Sequence, residues 1–192
     1  PAMRAQWMDP GHLVFILDGD IVAMPFDLNT LTQRGPLVPL DQDVRAEGMA
    51  VSKEGTLIHA GTKVGVVNDS RPIKPIIMRL TGASVQMESP KDLFPSAIYR
   101  SAVIGPDGKK VAVVIEGEDR PGDNFPQTDI WILDFESGNR RIVTTGGISD
   151  YPAWSVTGDS LYFVRENDGN NSIMVKAASG RGAETTVLDT AI

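Results

Sequence analysis

The stretch "YPAWSVTGDSLYFV" at residues 151–164 decides the fold, because it has the pattern of a β-hairpin that recurs along the chain. Trp154 ends its first half, and Gly158 lies where a tight turn requires a positive φ, which glycine adopts without a Cβ clash. The residues after the turn alternate between bulky and polar, as in a half-buried strand. Three further stretches of the 192-residue chain repeat this pattern.

The four copies align on their turn glycines. These are Gly11, Gly55, Gly108 and Gly158, which are separated by 44, 53 and 50 residues. In each copy a large apolar residue ends the strand before the turn, namely Trp7, Val51, Ile104 and Trp154. A third strand follows each hairpin, at residues 20–26, 74–80, 129–135 and 172–178. A more polar fourth strand comes next, at residues 36–40, 84–88, 140–145 and 184–189.

Four-stranded antiparallel meanders of about 45–50 residues are typical of a β-propeller, whose blades place the first strand at a central channel and the fourth strand outside. The sequence therefore predicts an all-β fold, with about four blades in a single domain. The expected blade bounds are residues 1–44, 45–93, 94–147 and 148–192. The composition is that of a globular protein, since 41% of the residues are hydrophobic and 22% are charged.

The motif around Trp154 resembles the TolB-type propeller repeat of the PD40 kind, whose core is roughly P-x-W-S-P-D-G-x-x-I-x-F. The fourth copy keeps the P-x-W-S element at residues 152–155 but has "VT" at residues 156–157, where the family has Pro-Asp. The third copy keeps "PDG" at residues 106–108 but has "IG" at residues 104–105 in place of Trp-Ser. TolB-type rings usually have six blades, so the resemblance implies part of a six-bladed ring.

The first two copies are similar to the propeller associated with many bacterial serine/threonine kinases. Residues 13–40 resemble its pattern L-x-F-x-R-x-G-x-L-x-A-Q-P-F-D, and residues 51–61 and 74–82 resemble the following blade. The resemblance implies a non-enzymatic module that binds a protein or peptide, or that acts as a sensor. It also implies an extracytoplasmic, periplasmic location.

Two alternative functions stay open. The propeller could be the accessory domain of a larger enzyme, such as a prolyl-oligopeptidase-type peptidase whose hydrolase domain would carry a G-x-S-x-G motif. An active lyase or lactonase ring would need metal ligands at the channel mouth. The chain itself contains neither a G-x-S-x-G motif nor a P-loop, so we expect no catalytic residue and no cofactor.

Charge and composition argue against several classes of partner. The net charge of −7 and the pI of about 4.8 argue against nucleic acid and anionic membranes. No apolar run approaches the ~18–20 residues of a membrane helix, so we expect no membrane insertion. There are no cysteines, which excludes disulfides and thiolate metal sites. Residues 1–13 lack the apolar segment of a signal peptide, so we expect any export signal to lie in a longer protein.

Candidate metal ligands are few. His12 and His59 lie in second strands without spaced partner ligands, so we interpret them as strand-surface histidines. The acidic insertion at residues 116–129 offers oxygen ligands for calcium. Its candidate ligands are Asp119, Asp123 and Asp129. Their spacing does not match an EF-hand loop, so the simpler interpretation is a solvated acidic loop or a partner contact.

Loops that join second to third strands, and loops that join consecutive blades, gather on one face of a propeller and form its binding surface. The expected partner-binding residues there are Tyr99, Asp123, Phe125 and Tyr151. Trp7, Trp131 and Trp154 are expected in the core, and Trp154 is expected to be largely buried between blades. Four blades of a larger ring would leave two apolar faces uncovered, which predicts self-association, for example as a homodimer.

Overall fold

The computed structural model describes residues 2–9, 11–42, 44, 49–59, 76–81, 84–87, 97–117, 126–167 and 169–189. Within these ranges the regular structure consists of β-strands, and no residue is helical. The described residues accordingly include no helix that is long and apolar enough to cross a membrane. The prediction of an all-β fold is confirmed.

The first repeat forms one antiparallel sheet. Strands β1 (Ala2–Met8), β2 (His12–Leu17) and β3 (Asp20–Asp27) pair in sequence order, and β5 (Val38–Asp41) also pairs with β3. A two-residue strand that the sequence did not predict, β4 (Thr32–Gln33), pairs with the end of β3.

The second repeat forms a separate sheet of four strands in sequence order. They are β6 (Ala50–Val51), β7 (Thr56–His59), β8 (Ile76–Thr81) and β9 (Ser84–Met87). Each neighbouring pair is antiparallel, so this repeat has the predicted meander.

The third and fourth repeats follow the same pattern. Their strands are β10 (Tyr99–Ile104), β11 (Lys110–Glu116), β12 (Thr128–Asp134) and β13 (Arg140–Ile142), then β14 (Ile148–Trp154), β15 (Ser160–Asn167), β16 (Asn170–Ala177) and β17 (Thr185–Asp189). The two meanders join into one sheet because Thr128 of β12 pairs in parallel with Ile148 of β14. The described residues thus form four antiparallel repeats, the first with five strands and each of the others with four.

The chain divides into two compact units, Pro1–Ser89 and Pro90–Ile192, and each unit contains two of the repeats. In the first unit, side chains on one face of the first repeat are buried together with Leu57 of the second repeat. Those side chains are Val14, Ile16, Ile21 and Ala23. The bounds of the individual blades stay a prediction.

The second unit is built in the same way. One face of the third repeat is buried together with Leu161 and Phe163 of the fourth repeat. The buried residues of that face are Ala112, Val114, Ile130 and Ile132. The buried positions of the two units are equivalent in strand pairing, because Ala112 of β11 pairs with Ile132 of β12 just as Val14 of β2 pairs with Ala23 of β3.

The four hairpins share one geometry but differ in loop length. Each turn glycine has a positive φ, with values of 83, 94, 66 and 75° for Gly11, Gly55, Gly108 and Gly158. Equivalent residue pairs flank the turns: Trp7 with Leu13, Val51 with Leu57, Ile104 with Val111 and Trp154 with Leu161. The first two pairs are six residues apart and the last two are seven apart. When the four repeats are aligned on their turn glycines, the second strands of the first two repeats are therefore one residue out of register with those of the last two.

A serine before the turn stabilises two of the hairpins. The Ser155 hydroxyl oxygen accepts a hydrogen bond from the Ser160 N–H at 3.2 Å. The Ser52 hydroxyl oxygen accepts one from the Thr56 N–H at 3.1 Å. The serine of the Trp-Ser motif therefore satisfies a backbone donor of its own turn.

Trp154 lies where the fourth repeat packs on the third. Its Nε1–H donates to the Val103 carbonyl oxygen at 3.0 Å, and its ring would be 3.4 Å from a Cβ added to Gly105. The side chain packs against the buried cluster of the third and fourth repeats and is itself half-buried. Trp154 is the last residue of β14, directly before the hairpin loop.

His59 differs from the sequence-based prediction. The sequence predicted a strand-surface histidine, but the His59 side chain is fully buried, and its Nε2 lies 2.9 Å from Oδ2 of Asp41. The reason is its place in β7, a central strand between β6 and β8, opposite the last residue of β5 in the first repeat. His12, at the start of β2, is half-buried.

Candidate functional site

The first strands of the first and fourth repeats contain the same irregularity. The register of β1 shifts between Met3 and Gln6, and that of β14 shifts between Asp150 and Ala153. In each bulge the residue three positions before the tryptophan has a positive φ, 54° at Arg4 and 53° at Tyr151. Such a backbone costs roughly 1–2 kcal/mol for a non-glycine residue, and strain of this kind concentrates at binding sites, where bulges re-aim side chains.

Tyr151 is the predicted partner-binding residue that the structure exposes most clearly. Its side chain is 73% exposed. Its N–H donates to Oδ1 of Asp150 at 2.7 Å, and the Ser101 hydroxyl donates to the same oxygen at 3.3 Å. An aromatic ring is therefore presented to solvent from a strand that a side chain of the neighbouring repeat helps to fix.

Tyr99 lies on β10, the first strand of the third repeat, and is half-buried. Burial raises the pKa of its phenol above the usual range, while the nearby charge of Arg140 acts in the opposite direction. The phenol therefore stays protonated and can donate a hydrogen bond. Next to it, Nη2 of Arg100 lies 2.7 Å from Oε2 of Glu116, so both charges at this end of β11 are paired. The Ser101–Asp150 hydrogen bond links β10, which carries Tyr99, to β14, which carries Tyr151.

The candidate calcium loop is only partly described. Asp119, Asp123 and Phe125 lie outside the described residues, so their predicted roles stay predictions. Asp129 lies in β12, and the Thr144 hydroxyl donates to its Oδ1 at 3.5 Å. Among the described side chains, no group of three or more acidic or histidine residues could hold a metal ion.

A polar network that the sequence analysis missed holds the connection between the third and fourth repeats. Arg165 is almost fully buried; its Nη1 donates to the Gly146 carbonyl at 2.6 Å and its Nη2 to Oε2 of Glu184 at 2.6 Å. A Cβ added to Gly147 would lie 2.8 Å from Nη1, so this guanidinium needs a glycine beside it. The available signal was a charged residue on the same side of β15 as the buried Leu161.

Exposed leucines near β4 form a second feature absent from the sequence analysis. Leu28, Leu31 and Leu37 are 54, 72 and 39% exposed, and Leu31 has a φ of 55°. Asp27 and Arg34 form an ion pair at the base of this excursion. The signal in the sequence was the ten-residue gap between the third and fourth strands of the first repeat, at residues 28–37.

Solved structures with a similar fold include TolB from Acinetobacter baumannii. The TM-score is 0.65 at 18% identity, and the match covers 100% of this chain and 44% of that one. An oligogalacturonate lyase in complex with manganese matches with a TM-score of 0.65 at 15% identity, over 97% of this chain and 52% of that one. A prolyl endopeptidase matches with a TM-score of 0.57 at 11% identity, over 98% of this chain and 28% of that one.

Neither a protein-family model nor a curated protein matches the sequence. The chain spans about half the length, or less, of these three structures. At such identities the likeness shows the fold and nothing of the chemistry. On the evidence of its four repeats and of these structures, the chain has the fold of a TolB-like β-propeller.

Proposed function

We propose that the chain is a non-enzymatic propeller module that binds a protein or peptide through the surface around Tyr151. The observation that carries the proposal is this exposed ring on a strained bulge, fixed by the Asp150 carboxylate. Tyrosine is over-represented among the residues that dominate binding energy at protein interfaces. A ring held on a strand loses little conformational freedom on binding, which favours affinity.

The chemistry of this surface limits the partner. Asp150 lies beside Tyr151, and the chain has a net charge of −7, so a neutral or basic peptide fits better than a polyanion. Tyr99, on β10 of the third repeat, adds a phenol that stays protonated.

Selection from a random peptide library displayed on phage, with the immobilised chain as bait, tests the proposal. Peptides recovered by the wild type should bind Tyr151→Ala at least about 10-fold more weakly, because the aromatic anchor is lost. Val156→Ala is the matched control, since Val156 is 95% exposed but lies in the hairpin turn of the same repeat. Equal binding of the selected peptides to wild type and Tyr151→Ala would contradict the proposed surface.

The second candidate function is an accessory propeller of a larger enzyme. The observation that favours it is the fold similarity to a prolyl endopeptidase and to an oligogalacturonate lyase. The chain should then accompany a hydrolase domain with a G-x-S-x-G motif, whereas a sensor should accompany a kinase domain and a membrane span. The gene sequence on either side distinguishes the two.

The proposal includes the absence of intrinsic catalysis and an extracytoplasmic location. The purified chain should hydrolyse neither ester nor peptide substrates, with or without added manganese or calcium. Manganese-dependent cleavage of a uronate polymer would instead support the lyase alternative. The location follows from the resemblance to TolB-type and kinase-associated propellers, and fractionation of the source cells with an antibody against the chain tests it.

A further inference from the structure

Within each unit, one repeat packs on the next through the same positions. Val14 and Ile16 of the first repeat pack towards Leu57 of the second, and Ala112 and Val114 of the third pack towards Leu161 and Phe163 of the fourth. Strand pairing makes these positions equivalent, since the pairs Val14–Ala23 and Ala112–Ile132 occupy the same place in their sheets. The two interfaces define one packing rule for this repeat.

In the second unit, the fourth repeat carries the corresponding face, and several of its apolar side chains are exposed. We call this the open face, and its residues are Ala153, Tyr162, Val164, Ile173, Val175 and Leu188. Tyr162 pairs with Val175 as Ala112 pairs with Ile132, and Val164 pairs with Ile173 as Val114 pairs with Ile130. Yet Tyr162 is 41% exposed, Ile173 36% and Leu188 53%, whereas Ala112 and Ile130 are fully buried.

The first repeat carries the complementary face. We call this the aromatic face, and its residues are Trp7, Leu13 and Phe15. Trp7 pairs with Leu13 just as Trp154 pairs with Leu161, and Phe15 follows Leu13 at the spacing at which Phe163 follows Leu161. These three side chains therefore repeat, type for type, the set that packs on the third repeat. Leu13 and Phe15 are half-buried, whereas Leu161 and Phe163 are fully buried.

We propose that the open face of one chain binds the aromatic face of a second copy, in a head-to-tail arrangement that reproduces the interface between the third and fourth repeats. The second copy is the occupant because the chain itself presents Trp7, Leu13 and Phe15, which match the side chains already seen against the equivalent surface. Burial of exposed apolar area supplies the driving force.

The head-to-tail arrangement differs from a two-fold dimer in a way that can be measured. A two-fold axis pairs like with like, for example open face with open face, and stops at two chains. Head-to-tail contact pairs unlike faces, so an open assembly of any length retains one free face of each kind, at its two ends, until it closes. The proposal does not depend on the peptide-binding function, because Tyr151 belongs to neither face.

Light scattering on the 192-residue chain over a wide concentration range is the first test. The proposal predicts a mass that rises with concentration above the 20.7 kDa of one chain. Ile173→Glu blocks the open face and Phe15→Glu blocks the aromatic face, and each should weaken association at least about 10-fold. Val156→Glu, in an exposed turn outside both faces, should associate like the wild type. A wild type that stays a strict monomer overturns the proposal.

Mixing the two blocked variants gives the sharper result. Ile173→Glu retains the aromatic face and Phe15→Glu retains the open face, so an equimolar mixture should form a one-to-one dimer and nothing larger. If Phe15→Glu alone forms dimers, open faces pair with each other and the head-to-tail arrangement is wrong. If the mixture stays monomeric, the complementary fit is wrong.

Circular dichroism and thermal melting decide whether the variants are folded, because Phe15 is half-buried. If Phe15→Glu or Ile173→Glu unfolds, Leu13→Lys and Tyr162→Lys replace them in the same mixing test. The expected and contradicting outcomes are then the same as for the first pair.

Discussion

At the scale of single residues, Gly158 shows why the repeat needs its glycine. Its φ is 75°, and a Cβ added there would lie 3.1 Å from Cγ of Pro106 in the neighbouring hairpin loop. Two demands meet at one residue, because the backbone favours glycine and the adjacent turn leaves no room for a side chain.

Gly158→Ala should therefore destabilise more than the same change at a glycine with open space around it. We expect a loss of about 2–3 kcal/mol, of which roughly 1–2 kcal/mol is the positive φ and the remainder is the contact with Pro106. Gly138→Ala is the control, since Gly138 has a φ of 69° and nothing within 4 Å of an added Cβ. Urea unfolding of both variants measures the difference, and equal losses would contradict the contact.

Two substitutions of Trp154 distinguish the contribution of its packing to stability from that of its hydrogen bond. Trp154→Ala should lower the free energy of unfolding by about 2–3 kcal/mol, less than a fully buried tryptophan would, because the ring is half-buried. Trp154→Phe retains much of the packing but loses the bond to the Val103 carbonyl, which should cost about 1 kcal/mol. Chemical unfolding measures both variants. Stability equal to wild type for Trp154→Ala would mean that the fourth repeat does not pack on the third through this residue.

Residues whose conformation is set locally could be predicted, and those set by a neighbouring repeat could not. Positive φ at Gly108 follows from the turn in which it lies, and the sequence shows that turn. His59 is buried because a strand of another repeat brings Asp41 next to it. The bulge at Tyr151 has no local signal, since neither tyrosine nor the following proline favours a positive φ.

At the scale of elements, the alternation of apolar and polar residues predicted the strands, because successive side chains of a strand point to opposite faces of its sheet. The one-residue difference in hairpin loops escaped prediction because glycine marks the turn but not its length. The sequence did not predict β4 or the exposed leucines beside it, because they belong to a connection whose sequence is polar and irregular. Ionic contacts between elements can be tested directly.

The Arg165–Glu184 pair joins β15 of the fourth repeat to the segment before β17. Arg165→Met should cost about 2–3 kcal/mol, because the Gly146 carbonyl loses its donor and the poorly exposed Glu184 carboxylate keeps only Lys176, at 3.7 Å. The matched control is Arg100→Met, whose partner is Glu116 and whose guanidinium is 45% exposed, and its cost should stay below about 1 kcal/mol. Thermal or urea unfolding compares the two. A cost for Arg165→Met no larger than that of the control would contradict a structural role for the buried pair.

Asp27 makes a pH-dependent contribution to the first repeat. The hydrogen bond from Arg34, together with bonds from the Asn29 and Thr30 backbone, holds the pKa of Asp27 below its usual value of 3.8. Folding therefore favours the carboxylate, so the stabilisation is present above pH 3.8 and is lost as the pH falls through the lower folded value.

Unfolding of Asp27→Asn measured from neutral to acidic pH tests this contribution. The variant should be less stable than wild type near neutrality, and the difference should shrink as the pH falls below 3.8. Arg34→Met removes the other partner of the same ion pair, so it should also reduce the pH dependence of the free energy of unfolding. Parallel curves for wild type and Asp27→Asn would contradict the assignment.

At the scale of the whole molecule, the fold is built from four repeats of one unit. The repeat predicts which sheet faces pack, because the rule seen between the first and second repeats recurs between the third and fourth. It does not predict the binding surface, since propeller scaffolds share core residues while loops and bulges carry the function. Of the four residues predicted to bind a partner, the structure describes Tyr99 on β10 and Tyr151 on β14; Asp123 and Phe125 lie outside its described residues.

The most direct test of the central claim is a set of cross-strand nuclear Overhauser effects from NMR of the isotope-labelled chain. The four equivalent pairs are Trp7–Leu13, Val51–Leu57, Ile104–Val111 and Trp154–Leu161. We expect backbone contacts between the strands at all four pairs, with partners six positions apart in sequence in the first two repeats and seven positions apart in the last two. Contacts missing from any one pair, or sequential amide contacts typical of a helix in its place, would contradict a chain built from four copies of one hairpin-based repeat.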